Sequence, residues 1–216
     1  MPTPGFPPHT LDDDGCPIWI TELANDDPNH TLHVVRGLEP AAALEAVGAK
    51  PHLFQPCELP ERKPDEWSSL PAAALGITPG DCAALLAGRV GEWTFVYDDA
   101  GATAGDETVV LSLSEDGRTA ATSTYTINAD ASLTYAVNGE QLAWIDVDSL
   151  DLETDLADLP DELRAAFEAA GVVEDEDLEP GQADYDITMR AICALAGLQT
   201  TLEDLRKLPL LGTPLG

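Results

Sequence analysis

The dipeptide Asn138-Gly139 lies between two runs rich in β-forming residues, 132–137 and 141–147, and no other feature restricts the fold as much. Both positions tolerate positive φ, which a two-residue type I′ turn requires, so the runs are expected to pair as an antiparallel hairpin. Two further β-rich runs precede them, at 92–97, which stops at Asp98-Asp99, and at 119–127. A meander is the simplest way to join them. Upstream, Thr31-Leu32-His33-Val34-Val35-Arg36 reads as a strand that turns at Gly37. A helix is expected to follow from Pro40, with Leu44 and Val47 on one face and Gly48 as its left-handed cap.

Residues 49–70 are proline-rich and without a period, the mark of an irregular connection, and 71–90 are expected to hold one or two short helices, with Asp81 as N-cap of 82–87. Beyond Val147 the period becomes helical. Leu163, Ala166, Phe167 and Ala170 form one apolar stripe before Gly171; Tyr185, Met189, Ile192, Cys193 and Ala196 form another before Gly197. Thr200 with Glu203 fits a capping box for a short helix bearing Leu202, Leu205 and Leu208. Strands followed by helices predict an α+β fold, an antiparallel β-sheet of about five strands covered by helices, with a helical C-terminal part. The expected organisation is a Pro-rich acidic arm at 1–15, a core at 16–147, an acidic helical part packing on that core at 148–208, and a tail at 209–216.

Charge limits the partners. Forty acids against ten bases give a formal charge of −30 over 216 residues. Direct binding to nucleic acid or to an anionic membrane depends on Lys and Arg meeting phosphates, so neither is expected, and a basic protein is the natural complement. A compositional bias with no functional meaning would produce the same excess. Cys16, Cys57, Cys82 and Cys193 form no C-x-x-C pair and read as reduced thiols. The first residues lack the basic and apolar regions of a secretory leader, and no run approaches the roughly 20 apolar residues of a membrane span, so a cytoplasmic location is expected.

Chemistry is hard to find in this chain. There is no G-x-S-x-G elbow, no phosphate-binding glycine loop and no calcium loop. His30 and His33 are three apart about the start of a strand, which puts them on opposite faces and argues against joint metal ligation. Asp146-Val147-Asp148 could present two carboxylates to a divalent ion, but D-x-D triplets also occur at 12–14, 175–177 and 184–186 in this acid-rich chain. No catalytic residue, metal ligand or cofactor is assigned.

What stands out is the stretch 146–186, with sixteen acids and one base, Arg164. The candidate partner-binding residues are Trp144, Asp146, Asp148, Asp151, Glu153, Asp155, Asp158, Glu174, Asp175, Glu176 and Asp177. They could form a surface that captures a basic partner by electrostatic attraction. A solvated linker is the usual fate of such a run, and Trp144 lies on what reads as a central strand, where an aromatic more often belongs to the core.

Three segments in order, Val34-Val35-Arg36-Gly37-Leu38-Glu39-Pro40, Gly88-Arg89-Val90-Gly91-Glu92-Trp93-Thr94 and Leu133-Thr134-Tyr135-Ala136-Val137-Asn138-Gly139-Glu140, resemble an uncharacterised family of high-GC Gram-positive (actinobacterial) bacteria, domain of unknown function family 6461, over roughly residues 19–208. The resemblance implies a small soluble bacterial domain and no reaction. Three functions stay open at this level. The chain could be a non-catalytic binding domain, such as an immunity or antitoxin-like inhibitor of a basic toxin or nuclease. It could be an assembly component that docks through its termini. It could be a metal-dependent enzyme using Asp146 and Asp148.

Overall fold

The computed structural model describes residues 3–26, 29–104, 107–128, 130–147, 156–171 and 184–216. Their elements in chain order are α1 (Ile18–Leu23), β1 (His30–Arg36), α2 (Pro40–Ala46), a 3-10 turn (Pro51–Leu53), β2 (Gln55–Pro56), α3 (Leu70–Leu75), β3 (Ala83–Val90), β4 (Trp93–Asp98), α4 (Glu107–Ser114), β5 (Thr119–Tyr125), β6 (Ala131–Val137), β7 (Glu140–Asp146), α5 (Asp161–Ala170), α6 (Ile187–Ala196), α7 (Leu202–Leu205) and β8 (Leu211–Leu215). The strands form one sheet in the order β2-β8-β3-β4-β1-β5-β6-β7. Every neighbouring pair is antiparallel.

The α+β class stands, with eight strands in place of about five. Two of the additional strands have clear physical causes. Residues 82–87, expected to be helical, fall mostly in β3 because Ala83 to Ala87 are buried on both sides, and a doubly buried strand has no alternation to separate it from a buried helix. Gly91, at φ 58°, then opens a two-residue turn into β4. Residues 211–215, read as part of a tail, pair with β3 in register from Ala83↔Leu215 to Ala87↔Leu211.

The meander β5-β6-β7 forms as expected, and Asn138 and Gly139 take φ of 54° and 77° at its second turn. Gly48, Gly171 and Gly197 occupy left-handed positions just past α2, α5 and α6. The cap of α7 is Thr201, one residue later than expected, and its hydroxyl accepts from Asp204 N.

Both faces of the sheet are covered. On one, Trp19 and Leu23 of α1, Leu163 and Phe167 of α5, and Ile192 and Cys193 of α6 join Leu32, Val34, Phe95, Tyr97 and Leu133 in a single core. Trp19 is fully buried, edge-on to Tyr97 and tilted against Phe95, and its indole N–H donates to Leu198 O at 3.1 Å. On the other face, α2 and α4 bring Leu44, Val47, Val110 and Leu113 against Val35, Leu85, Val96, Ala120 and Ala136.

Residues 3–15, expected as a solvated arm, lie against α5. Phe6 is buried in the larger core and Gly5 N donates to Ala169 O at 2.9 Å. Arg190 of α6 clamps this junction, donating to Ala170 O at 2.9 Å and Gly15 O at 3.1 Å while its guanidinium pairs with Asp184.

The family-like segment from Gly88 also has a packing reason. Gly88 faces Phe95 across β3 and β4, and a Cβ there would stand 2.7 Å from both Phe95 Cε1 and Leu210 Cδ2. Gly88→Ala is therefore expected to destabilise the fold by about 1–3 kcal/mol through overpacking, seen as a lower denaturant midpoint at constant slope. An unchanged midpoint would show that the ring yields freely.

Candidate functional site

Strand β1 lies in the middle of the sheet with helices on both sides, so His30, Thr31 and His33 are all buried. The two histidines face opposite ways, as their spacing predicts. His30 stacks on Tyr125 at 5.6 Å, whereas His33, 1% exposed, joins a polar chain on the α2/α4 side. That chain starts at Asp98, the last residue of β4, whose Oδ2 accepts from Thr103 N and Thr103 Oγ1, each at 2.7 Å. Thr103 Oγ1 lies 2.8 Å from His33 Nε2, and His33 Nδ1 lies 2.8 Å from Thr122 Oγ1.

Counting protons orients the whole chain. A hydroxyl has one proton, and that of Thr103 is committed to Asp98, so His33 Nε2 must be the donor to Thr103. Burial pushes the His33 pKa down to about 4 against a smaller opposing effect of Asp98, so the ring is neutral at pH 7. Its Nδ1 is then an acceptor, and the Thr122 hydroxyl donates inward to it.

From Thr122 a row runs outward across the sheet. Thr122 faces Thr134 on β6, and Thr134 faces Trp144 on β7, all on the same side because directly paired residues share a face. The next row is Thr124, Ser132 and Asp146, with the Thr124 and Ser132 hydroxyls 2.9 Å apart. The threonines and Ser132 are half-buried, while Trp144 is 59% and Leu142 52% exposed.

Trp144 is thus neither core nor on a central strand. β7 ends the sheet, and nothing among the described residues pairs with its outer side. The sequence missed this because a meander does not reveal which of its ends meets further strands.

Of the other candidates, Asp146 closes β7 and Asp158 is exposed in the short helical segment before α5. Asp148, Asp151, Glu153, Asp155 and Glu174, Asp175, Glu176, Asp177 lie outside the described residues. Sequence reasoning also missed the Asp98-Thr103-His33-Thr122 chain. Its members are 70 and 89 residues apart at the two histidine contacts, so no local spacing announces them.

Among the described residues no group of three or more His, Cys, Asp or Glu is placed to hold a metal ion, and no helix is long and apolar enough to cross a membrane. All four cysteines are free thiols. Burial pushes the Cys57 thiol up to about 11 and those of Cys16 and Cys193 higher still, which leaves them protonated and poorly nucleophilic at pH 7.

The buried groups make the site's pH response specific. His33 titrates at about 4 when folded against an ordinary 6.5, so its contribution to stability is present above pH 6.5 and is lost as pH falls through about 4. Asp99, which accepts from Ala84 N and Ser69 Oγ, is pushed by burial from 3.8 up to about 6; its contribution is present below pH 3.8 and lost as pH rises through about 6. The two slopes oppose each other in one window.

Relative to wild type, Asp99→Asn should gain about 3 kcal/mol between pH 4 and 7, and His33→Gln should lose a similar amount over the same range. Urea unfolding at pH 4, 5.5 and 7 checks this. Differences that do not vary with pH would contradict the assignment of both groups.

Comparison with known proteins adds a family and nothing more specific. No curated protein and no solved structure matches the chain. The model of the family of unknown function DUF6461 matches residues 15–203, which takes in all three segments quoted above, the His33 chain and the row ending at Trp144. This chain belongs to the family of unknown function DUF6461.

Proposed function

We propose that this chain is a non-catalytic, protein-binding domain that captures a basic protein at the β7 end of its sheet, in the manner of an immunity or antitoxin-like inhibitor of a basic toxin or nuclease. One observation carries the reading: Trp144 and Leu142 stand exposed on the end strand of an otherwise well-covered sheet, inside a stretch without a positive charge. From 119 to 163 the sequence holds ten acids and no Lys or Arg.

The two edges of the sheet differ in kind. At one end β2 is two residues long and contains Pro56, a form that discourages further pairing. At the other, β7 is seven residues long, without Lys or Pro, and carries two exposed apolar side chains beside Glu140 and Asp146. Exposed aromatic and aliphatic side chains on an acidic strand fit a partner of the opposite sign. The apolar pair supplies contact area, and the carboxylates supply rate and specificity.

Affinity capture from the native host at low and moderate salt, with mass-spectrometric identification and titration of the purified partner, tests the reading. A basic partner should be found whose affinity falls at least tenfold in Trp144→Ala, a residue exposed enough to be removed without unfolding the domain. Charge removal at Glu140, Asp146 and Asp158 should flatten the salt dependence of association. A partner whose affinity is indifferent to Trp144 and to these carboxylates would overturn it.

A further inference from the structure

We infer that the row Thr122-Thr134-Trp144 is a recognition site for an arginine guanidinium of the basic partner, an inference that rests on the binding reading above. The direction of the Thr122 hydroxyl is the key. Its only proton is directed inward to His33 Nδ1 at 2.8 Å, at the end of a chain anchored on Asp98, so the lone pairs of Thr122 Oγ1 are what remains for a ligand. Such a group accepts and does not donate.

Arginine, like lysine, donates and never accepts. What sets arginine apart is its five N–H groups in a flat fork that also stacks on indole. Strands are spaced by about 4.8 Å, so Thr122 and Trp144, two strands apart, are separated by roughly 10 Å. A guanidinium lying over Thr134 would reach the Trp144 ring on one side and Thr122 Oγ1 on the other. The Asp146 carboxylate follows Trp144 by two residues on the same face.

The molecule already uses this pairing elsewhere. Arg36 lies 4.5 Å from the centroid of Trp93 while it pairs with Glu162. Among the described residues Trp144 carries no such cation.

The test is a titration with the capped peptide Gly-Arg-Gly-Arg-Gly and its lysine counterpart, read at the Trp144 indole N–H by two-dimensional NMR and assigned with Trp144→Phe. The arginine peptide should shift this signal and bind more tightly than the lysine peptide. Thr122→Val should weaken it about tenfold and Thr122→Ser should restore it, since a hydrogen bond to a charged group is at stake. Trp144→Leu, at an exposed position and followed through the backbone amides of β5, β6 and β7 in place of the lost indole, should abolish the preference for arginine.

Equal binding of the two peptides, or full arginine binding in both Thr122→Val and Trp144→Leu, would overturn the assignment. If partner capture still depended on Trp144 in that case, the guanidinium site would fall while the binding reading stood. If no basic partner were captured, the binding reading would fall, whatever the peptides did.

Discussion

Strand β1 is buried on both faces, and much of this structure follows from that constraint. A sheet with helices on one side only could have left its polar side chains in water. Here α2 and α4 close the second face, so His33 and Asp98 must find partners inside the protein or incur the cost of unmet polar groups. They find them in each other's neighbourhood, through Thr103, and the segment after β4 is thereby fastened to β1. The same hydrogen bonds that stabilise the centre of the sheet set the polarity of a hydroxyl at its surface. In the proposed site, structure and recognition share one set of interactions at Thr122.

The order of the strands then decides what faces outward. The C-terminal strand β8 inserts between β3 and β2, which finishes one end of the sheet with a two-residue strand. The meander leaves β7 as the other end, and α4 covers only the part of its face near Ala120 and Ala136. Hydroxyls take over from aliphatic side chains along β5 and β6, from Ala120 to Thr122 and Thr124, and from Ala136 to Thr134 and Ser132. The α2/α4 face thus passes from a sealed core to an open polar strip edged by Trp144.

The parts of the fold that could be read from the sequence were those in which local chemistry and tertiary structure agree. Asn138-Gly139 needs positive φ and takes it; Leu163, Ala166, Phe167 and Ala170 recur at helical spacing and are all buried. Residues 82–87 resemble a helix in sequence because a doubly buried strand loses the alternation that identifies strands, and 211–215 resemble a tail because pairing across more than a hundred residues leaves no local trace. For the site, Trp144 and the acidic excess were visible as composition. Which face Trp144 occupies, and the fact that His33 reaches Thr103 and Thr122, depend on the register of β1, β5, β6 and β7, and the register is a property of the assembled sheet.

The most direct test of the β7 end as the binding surface is amide hydrogen exchange on the whole protein, alone and saturated with its captured basic partner. Slower exchange concentrated in residues 119–146, strongest along β7 and weak at β2 and β8, is the expected result. Protection centred on the β2/β8 end, or none in β7, would contradict the assignment of this surface.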